Sequence, residues 1–143
     1  MRSAHVSYLG GLSSREASVP FNAANFSATG ALVWTVGSAG VDTFRYSIQG
    51  KLMTIWLSIA QGVNSVLTGT VAGNNLLVTI PEGRVPAFKA SFNVIGVPSG
   101  LPIEGVVASF TVGTPTFTIL RYALNWVLGN TGITVCGVTF EVQ

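Results

Sequence analysis

At 143 residues the chain has the length of one domain, enough to bury a core without metals or disulfides. Only 8% of its residues are charged, against roughly 25% in average soluble domains, while 48% are hydrophobic, so an unusual amount of apolar surface needs cover. Seven basic and five acidic residues, scattered singly for a net charge of +2, make no basic stripe, and this excludes a nucleic-acid partner. A membrane is excluded as well: Lys51, Ser58, Gln61 and Gly62 break the longest apolar runs before they reach the roughly 18 residues of a spanning helix. The strands also carry too few polar residues to line the lumen of an outer-membrane barrel. Burial against further copies of the chain or in a lattice is the remaining account.

Residues 1–30, MRSAHVSYLGGLSSREASVPFNAANFSATG, are rich in Ser, Ala, Gly and Asn and keep neither a strand nor a helix period. This stretch reads as an extended N-terminal arm ahead of a domain over 31–143. Its apolar residues recur every few positions, Val6, Tyr8, Leu9 and Leu12 first and Val19, Phe21 and Phe26 later. A loose terminus is the bland reading; the alternative is a strap on a neighbouring subunit or host surface, with the first four residues as contacts. No continuous apolar run near the start marks a secretory signal, so synthesis in the cytoplasm is expected.

From Ala31 onward, short strands alternate with turns. After ALVWTV over 31–36 come VDTFRYSI over 41–48, where Phe44, Tyr46 and Ile48 share one face, and a second strand over 51–60 beyond Gln49-Gly50. In that second strand Met53, Ile55, Leu57 and Ile59 take one face, and Leu52 and Trp56 stand on the other. The pair reads as a β-hairpin whose second strand is apolar on both sides. One side meets the core, and the other, carrying Leu52 and Trp56, is expected to face another protein chain. Further strands are expected near 66–71, 75–80, 88–96, 103–112, 115–122 and 133–142. Strands at this spacing, punctuated by Gly, Pro and Asn, predict an all-β protein: an antiparallel β-sandwich, of jelly-roll type.

Catalytic chemistry finds no footing in these residues. The single histidine, His5, lies in the arm, which leaves no base for a serine or cysteine nucleophile. The acids Glu16, Asp42, Glu82, Glu104 and Glu141 are spread along the chain and do not suggest the converging pair of a glycosidase. One His and one Cys supply no zinc set, and the acids no calcium set, so neither a cofactor nor a metal is expected. Cys136, in TVCGVTF, reads as a small core residue. Trp34, Trp56 and Trp126, with Tyr46 and Tyr122, suit a sugar-stacking platform or, scattered as they are on strands, core and interface anchors. Tyr122, Asn125 and Trp126 form the candidate ligand loop because the chain leaves a strand there. Arg121 beside them is placed to hold a carboxylate or to cap the strand end.

The order GALVWTVGSAGVDTFRYSIQGKLMTIWLSIA, TGTVAGNNLLVTIPEGRVPAFKA and LRYALNWVLGNTGITVCGVTFEVQ resembles small proteins of tailed phages, prophages and viral metagenomes. The shared features are Trp34-Thr35-Val36, Ile48-Gln49-Gly50-Lys51, Thr79-Ile80-Pro81-Glu82-Gly83, Asn125-Trp126 and Phe140-Glu141-Val142. Segment 97–102, VPSGLP, departs from that pattern in being apolar where an exposed loop is expected. The resemblance implies a β-sandwich component of the virion, with no catalytic residue to carry over. Taken with the composition, it sets the expectation of an oligomeric capsid decoration or cement protein, a trimer, bound to the major capsid protein or another virion protein. The alternative is the receptor-binding head of a tail fibre or spike, in which the loops near 97–102 and 122–131 contact host glycans.

Overall fold

The computed structural model describes residues 14–122 and 124–143. Their strands are β1 (Ser14–Ser18), β2 (Phe26–Ala28), β3 (Leu32–Val36), β4 (Val41–Gln49), β5 (Leu52–Ile59), β6 (Ser65–Gly69), β7 (Leu76–Thr79), β8 (Ala90–Val97), β9 (Glu104–Phe110), β10 (Thr116–Leu120), β11 (Gly129–Asn130) and β12 (Gly132–Glu141). The expected all-β antiparallel sandwich forms. A large curled sheet runs β1-β4-β5-β12-β8-β9-β10-β7-β2, and a smaller one runs β11-β6-β3. The hairpin β4–β5 turns on Gly50 and Lys51, one residue later than the sequence suggests, with Gln49 paired to Leu52. Gly50 has φ of 61° while Lys51 does not enter the left-handed region, the pattern of a type II′ turn, whose twist matches that of the strands it joins.

Alternation places the apolar side chains between the two sheets. Phe44, Tyr46 and Ile48 of β4 and Met53, Ile55, Leu57 and Ile59 of β5 point inward, as their period predicts. They meet Leu32, Trp34 and Val36 of β3 and Leu67 of β6 in one continuous core. Phe110 sits at the middle of an aromatic group, its ring centroid 4.8 Å from that of Phe117 and 4.2 Å from that of Phe140. The one polar demand of Trp34 is met inside, since its Nε1 donates to Ser65 Oγ at 3.1 Å.

Two expectations need correction. Residues 14–30 are not an arm apart from the sandwich: β1 is an edge strand on β4, β2 pairs with β7, and Phe26 is a core residue touching Trp34 and Phe44. The reason lies in the backbone. The outer edge of β4 carries free N–H and C=O groups, and Ser14–Ser18 satisfies them although its side chains show no apolar alternation. The proposed contact residues Val6, Tyr8, Leu9 and Leu12 lie outside the described residues. Cys136 is exposed and not a core residue. A bulge between Cys136 and Val138 shifts the phase of β12, so that Val135 and Val138 both point inward and Cys136 points out.

Candidate functional site

Ile59, Ile133, Gly96 and Glu104 lie side by side at the ends of β5, β12, β8 and β9. The loops that follow or precede them therefore meet at one end of the sandwich. Gln61 joins them, its Nε2 donating to Pro98 O at 3.2 Å and to Asn130 O at 3.3 Å. Arg121 fixes the segment after β10. Its guanidinium, 6% exposed, pairs with Glu104 through Nε to Oε1 and, at 3.1 Å, through Nη2 to Oε2, while Nη1 donates to Asn125 O. Of the two roles open to Arg121, holding a carboxylate is the one it fills, and the planar fork suits it.

Around this anchor the loop tips are apolar. Val63, Ile103 and Tyr122 are 82%, 71% and 80% exposed, and Leu101, Leu124 and Leu128 are exposed beside them. The apolar character of 97–102 noted in the sequence continues through Ile103 in the structure. Of the three candidate ligand-loop residues, Tyr122 stands free, and Asn125 is exposed with its Oδ1 accepting from Gly73 N at 3.2 Å. Trp126 does not join them. It is 2% exposed and packs in the core, so it offers no stacking surface, and its Nε1 finds no acceptor among the described residues. The Asn-Trp pair breaks the strand pattern in sequence, but its indole fills the core and only the residues before it reach solvent.

The second candidate surface is the outer face of β1, β4, β5 and β12. Register sets its rows: Ser18, Arg45, Trp56 and Cys136 stand abreast, as do Glu16, Ser47, Thr54 and Thr139. Leu52 is exposed, as expected, and Trp56 is half-buried. Gly137 lets the indole lie down, because a Cβ there would sit 3.0 Å from Trp56 Nε1. The Arg45 guanidinium covers the ring from the other strand at 4.7 Å. Beside this pair an open groove of about 690 Å³ runs between Phe21, Asn22, Asp42, Trp56 and Cys136.

A third cluster surrounds Glu82, the one non-glycine residue described with positive φ, at 60°. The Tyr46 hydroxyl donates to its Oε1 at 2.6 Å, Arg15 of β1 pairs with its Oε2, and Arg84 Nε lies 3.5 Å away. The hydrogen bond from Tyr46 is the main cause that holds the Glu82 carboxyl below its ordinary pKa, with Arg15 adding to it, while the same bond raises the phenol of Tyr46. A carboxylate with a depressed native pKa contributes stability that is complete above its unfolded value, about 4.3, and is lost as pH falls through the native one. Glu82→Gln should therefore lower the melting temperature at neutral pH and converge on the parent protein in acid. Thermal unfolding across that limb measures it, and a constant difference at all pH values would refute the assignment.

Among the described residues no three His, Cys, Asp or Glu side chains gather to hold a metal ion. No described helix is long and apolar enough to cross a membrane. What the loop end and the outer face offer is contact: apolar tips, hydroxyl rows and a shielded indole. Compared with known proteins, the chain matches no family model, no curated protein sequence and no solved structure.

Proposed function

We propose that this chain is a structural protein of a tailed-phage particle, a self-associating sandwich that binds the capsid surface as a decoration or cement protein. The observation that carries the reading is the set of exposed apolar residues on the loop end, in a chain with only 8% charge. Scattered apolar residues are ordinary on any surface, but a group at one end, around the largely buried Arg121–Glu104 pair, is suited to burial against protein. In this reading the face with Leu52 and Trp56 joins copies into a trimer, and the loop end meets the neighbouring virion protein. Each 100 Å² of apolar surface covered contributes about 2.5 kcal/mol before ordering costs are subtracted. The resemblance to phage proteins supplies the particle.

The reading is tested by sedimentation at micromolar concentration, where a trimer is expected and a stable monomer would overturn it. Leu52→Lys changes an exposed residue beside Glu141 and leaves the core untouched, so it should keep the fold and weaken the trimer about tenfold or more. The exposure of Tyr122 favours a second reading, a receptor-binding head of a tail fibre whose loop end contacts host glycans. Measured in parallel, adsorption to host cells falls on Tyr122→Ala only under that second reading, whereas loss of particle attachment supports the first.

A further inference from the structure

We infer that the groove on the outer face of the large sheet, beside Trp56, is a binding site for a neutral saccharide. The inference goes beyond the assembly role proposed above and does not rest on it. Register builds the floor of the groove. Thr43 of β4 and Thr134 of β12 both stand opposite Ser58 of β5, so three hydroxyl residues lie abreast in the row next to Arg45, Trp56 and Cys136. Their neighbours Phe44, Leu57 and Val135 point into the core, and the two-residue period turns all three outward. In the row on the other side of Trp56, Thr54 and Thr139 close on each other at 2.8 Å. Thr43, Ser58 and Thr134 make no such side-chain bond among the described residues, and each is half-buried where it lines the groove. A hydroxyl both donates and accepts, so this row matches the paired donors and acceptors around a sugar ring.

The walls supply the other half of sugar recognition. Trp56 rises from β5 and the exposed Phe21 from the segment after β1, and both offer apolar surface to the C–H face of a pyranose. A bulge between Val41 and Thr43 leaves Asp42 out of the ladder and sets it, exposed, on the rim. Its carboxylate joins no ion pair among the described residues and can accept from two adjacent hydroxyls. Asn22 lies across from it; its Oδ1 accepts from Ala24 N at 3.0 Å, which leaves the amide N–H groups for a ligand. The open volume of about 690 Å³ lies within the range of about 300 to 1,000 Å³ usual for small-molecule sites.

Charge makes the ligand a neutral one. Arg45 is the one cationic side chain among the described residues lining the groove, and it is already engaged, by Glu16 at 2.7 Å and over the Trp56 ring at 4.7 Å. With Asp42 on the rim, a phosphate or carboxylate would meet a like charge and no free partner.

The test titrates the full-length chain, labelled with nitrogen-15, with the methyl glycosides of glucose, galactose, N-acetylglucosamine and rhamnose, and separately with sulfate. At least one glycoside should bind with a Kd of about 1 mM or tighter and shift the amides of Thr43, Ser58 and Thr134. Asp42→Ala and Thr134→Val, both outside the core, should each weaken that binding about tenfold or more with folding unchanged by circular dichroism, whereas Tyr122→Ala should leave it as it is. Absence of binding by all four glycosides at about 10 mM, shifts confined to the loop near Tyr122, or stronger shifts of the groove amides by sulfate would each overturn the inference. Leu52→Lys, at the far end of β5, should bind the glycoside as the parent does, and loss of binding there would place the site between copies and not in this groove. Assembly is read independently, by sedimentation, so failure of either idea leaves the other standing.

Discussion

Trp126→Ala will lower the unfolding free energy by about 3 to 5 kcal/mol, the usual cost of deleting a large buried aromatic. The indole is 2% exposed and belongs to the core, so its removal leaves a cavity that the flanking loop cannot fill from solvent. Trp126→Phe should cost much less. The indole N–H is buried without an acceptor among the described residues, and a phenyl ring removes that unpaired donor while keeping most of the packing. Denaturant unfolding of the two variants checks the ordering, and an alanine variant with an unchanged midpoint would mean that the side chain is not in the core.

Arg121→Met should be nearly as damaging, at about 2 to 4 kcal/mol, since breaking a buried pair strands the remaining charge. The value is set toward the lower part of the usual range because Glu104, the carboxylate left behind, is 27% exposed and water screens it. Arg121 also holds the Asn125 carbonyl, so the loss reaches the loop that presents Tyr122 and Leu124. Hydrogen exchange should show amides of 121–128 opening faster while β4 and β5 keep their protection. The double replacement Arg121→Met/Glu104→Leu should recover part of the loss, and failure of both effects would remove the anchor role.

The strands that bury side chains on a strict two-residue period are legible in the sequence. Phe44, Tyr46 and Ile48, followed after the turn by Met53 to Ile59, announce their inner face without any structure. β1 is not legible, because SREAS holds a single small apolar side chain, Ala17, too little to reveal a face; it is a strand by virtue of the edge it satisfies and the charges it meets. Cys136 was open to correction from sequence. In ITVCGVTFEV the apolar positions run Ile133 and Val135, then Val138, Phe140 and Val142, and that change of parity across Cys136-Gly137 is the mark of a bulge. The loop end is half legible: an apolar 97–102 and a loop near Tyr122 stand out, but nothing in the order of residues says that Arg121 reaches back to Glu104 or that Trp126 turns inward while Tyr122 turns out.

The place of β12 has a consequence for how the protein is made. It lies between β5 and β8, so the last strand in chain order joins the two halves of the large sheet. On the ribosome the β4–β5 hairpin and the β8–β9–β10 meander emerge earlier and wait with facing edges unfilled until Glu141 is clear of the exit tunnel. Until β12 arrives the nascent chain is open to wrong partners, and the closure it makes with β5 joins residues 74 to 89 positions apart, from Ile59 with Ile133 to Leu52 with Glu141, which is slow by topology. A chain without β12 would leave two apolar half-sheets with matching free edges, ready to pair with those of other such chains.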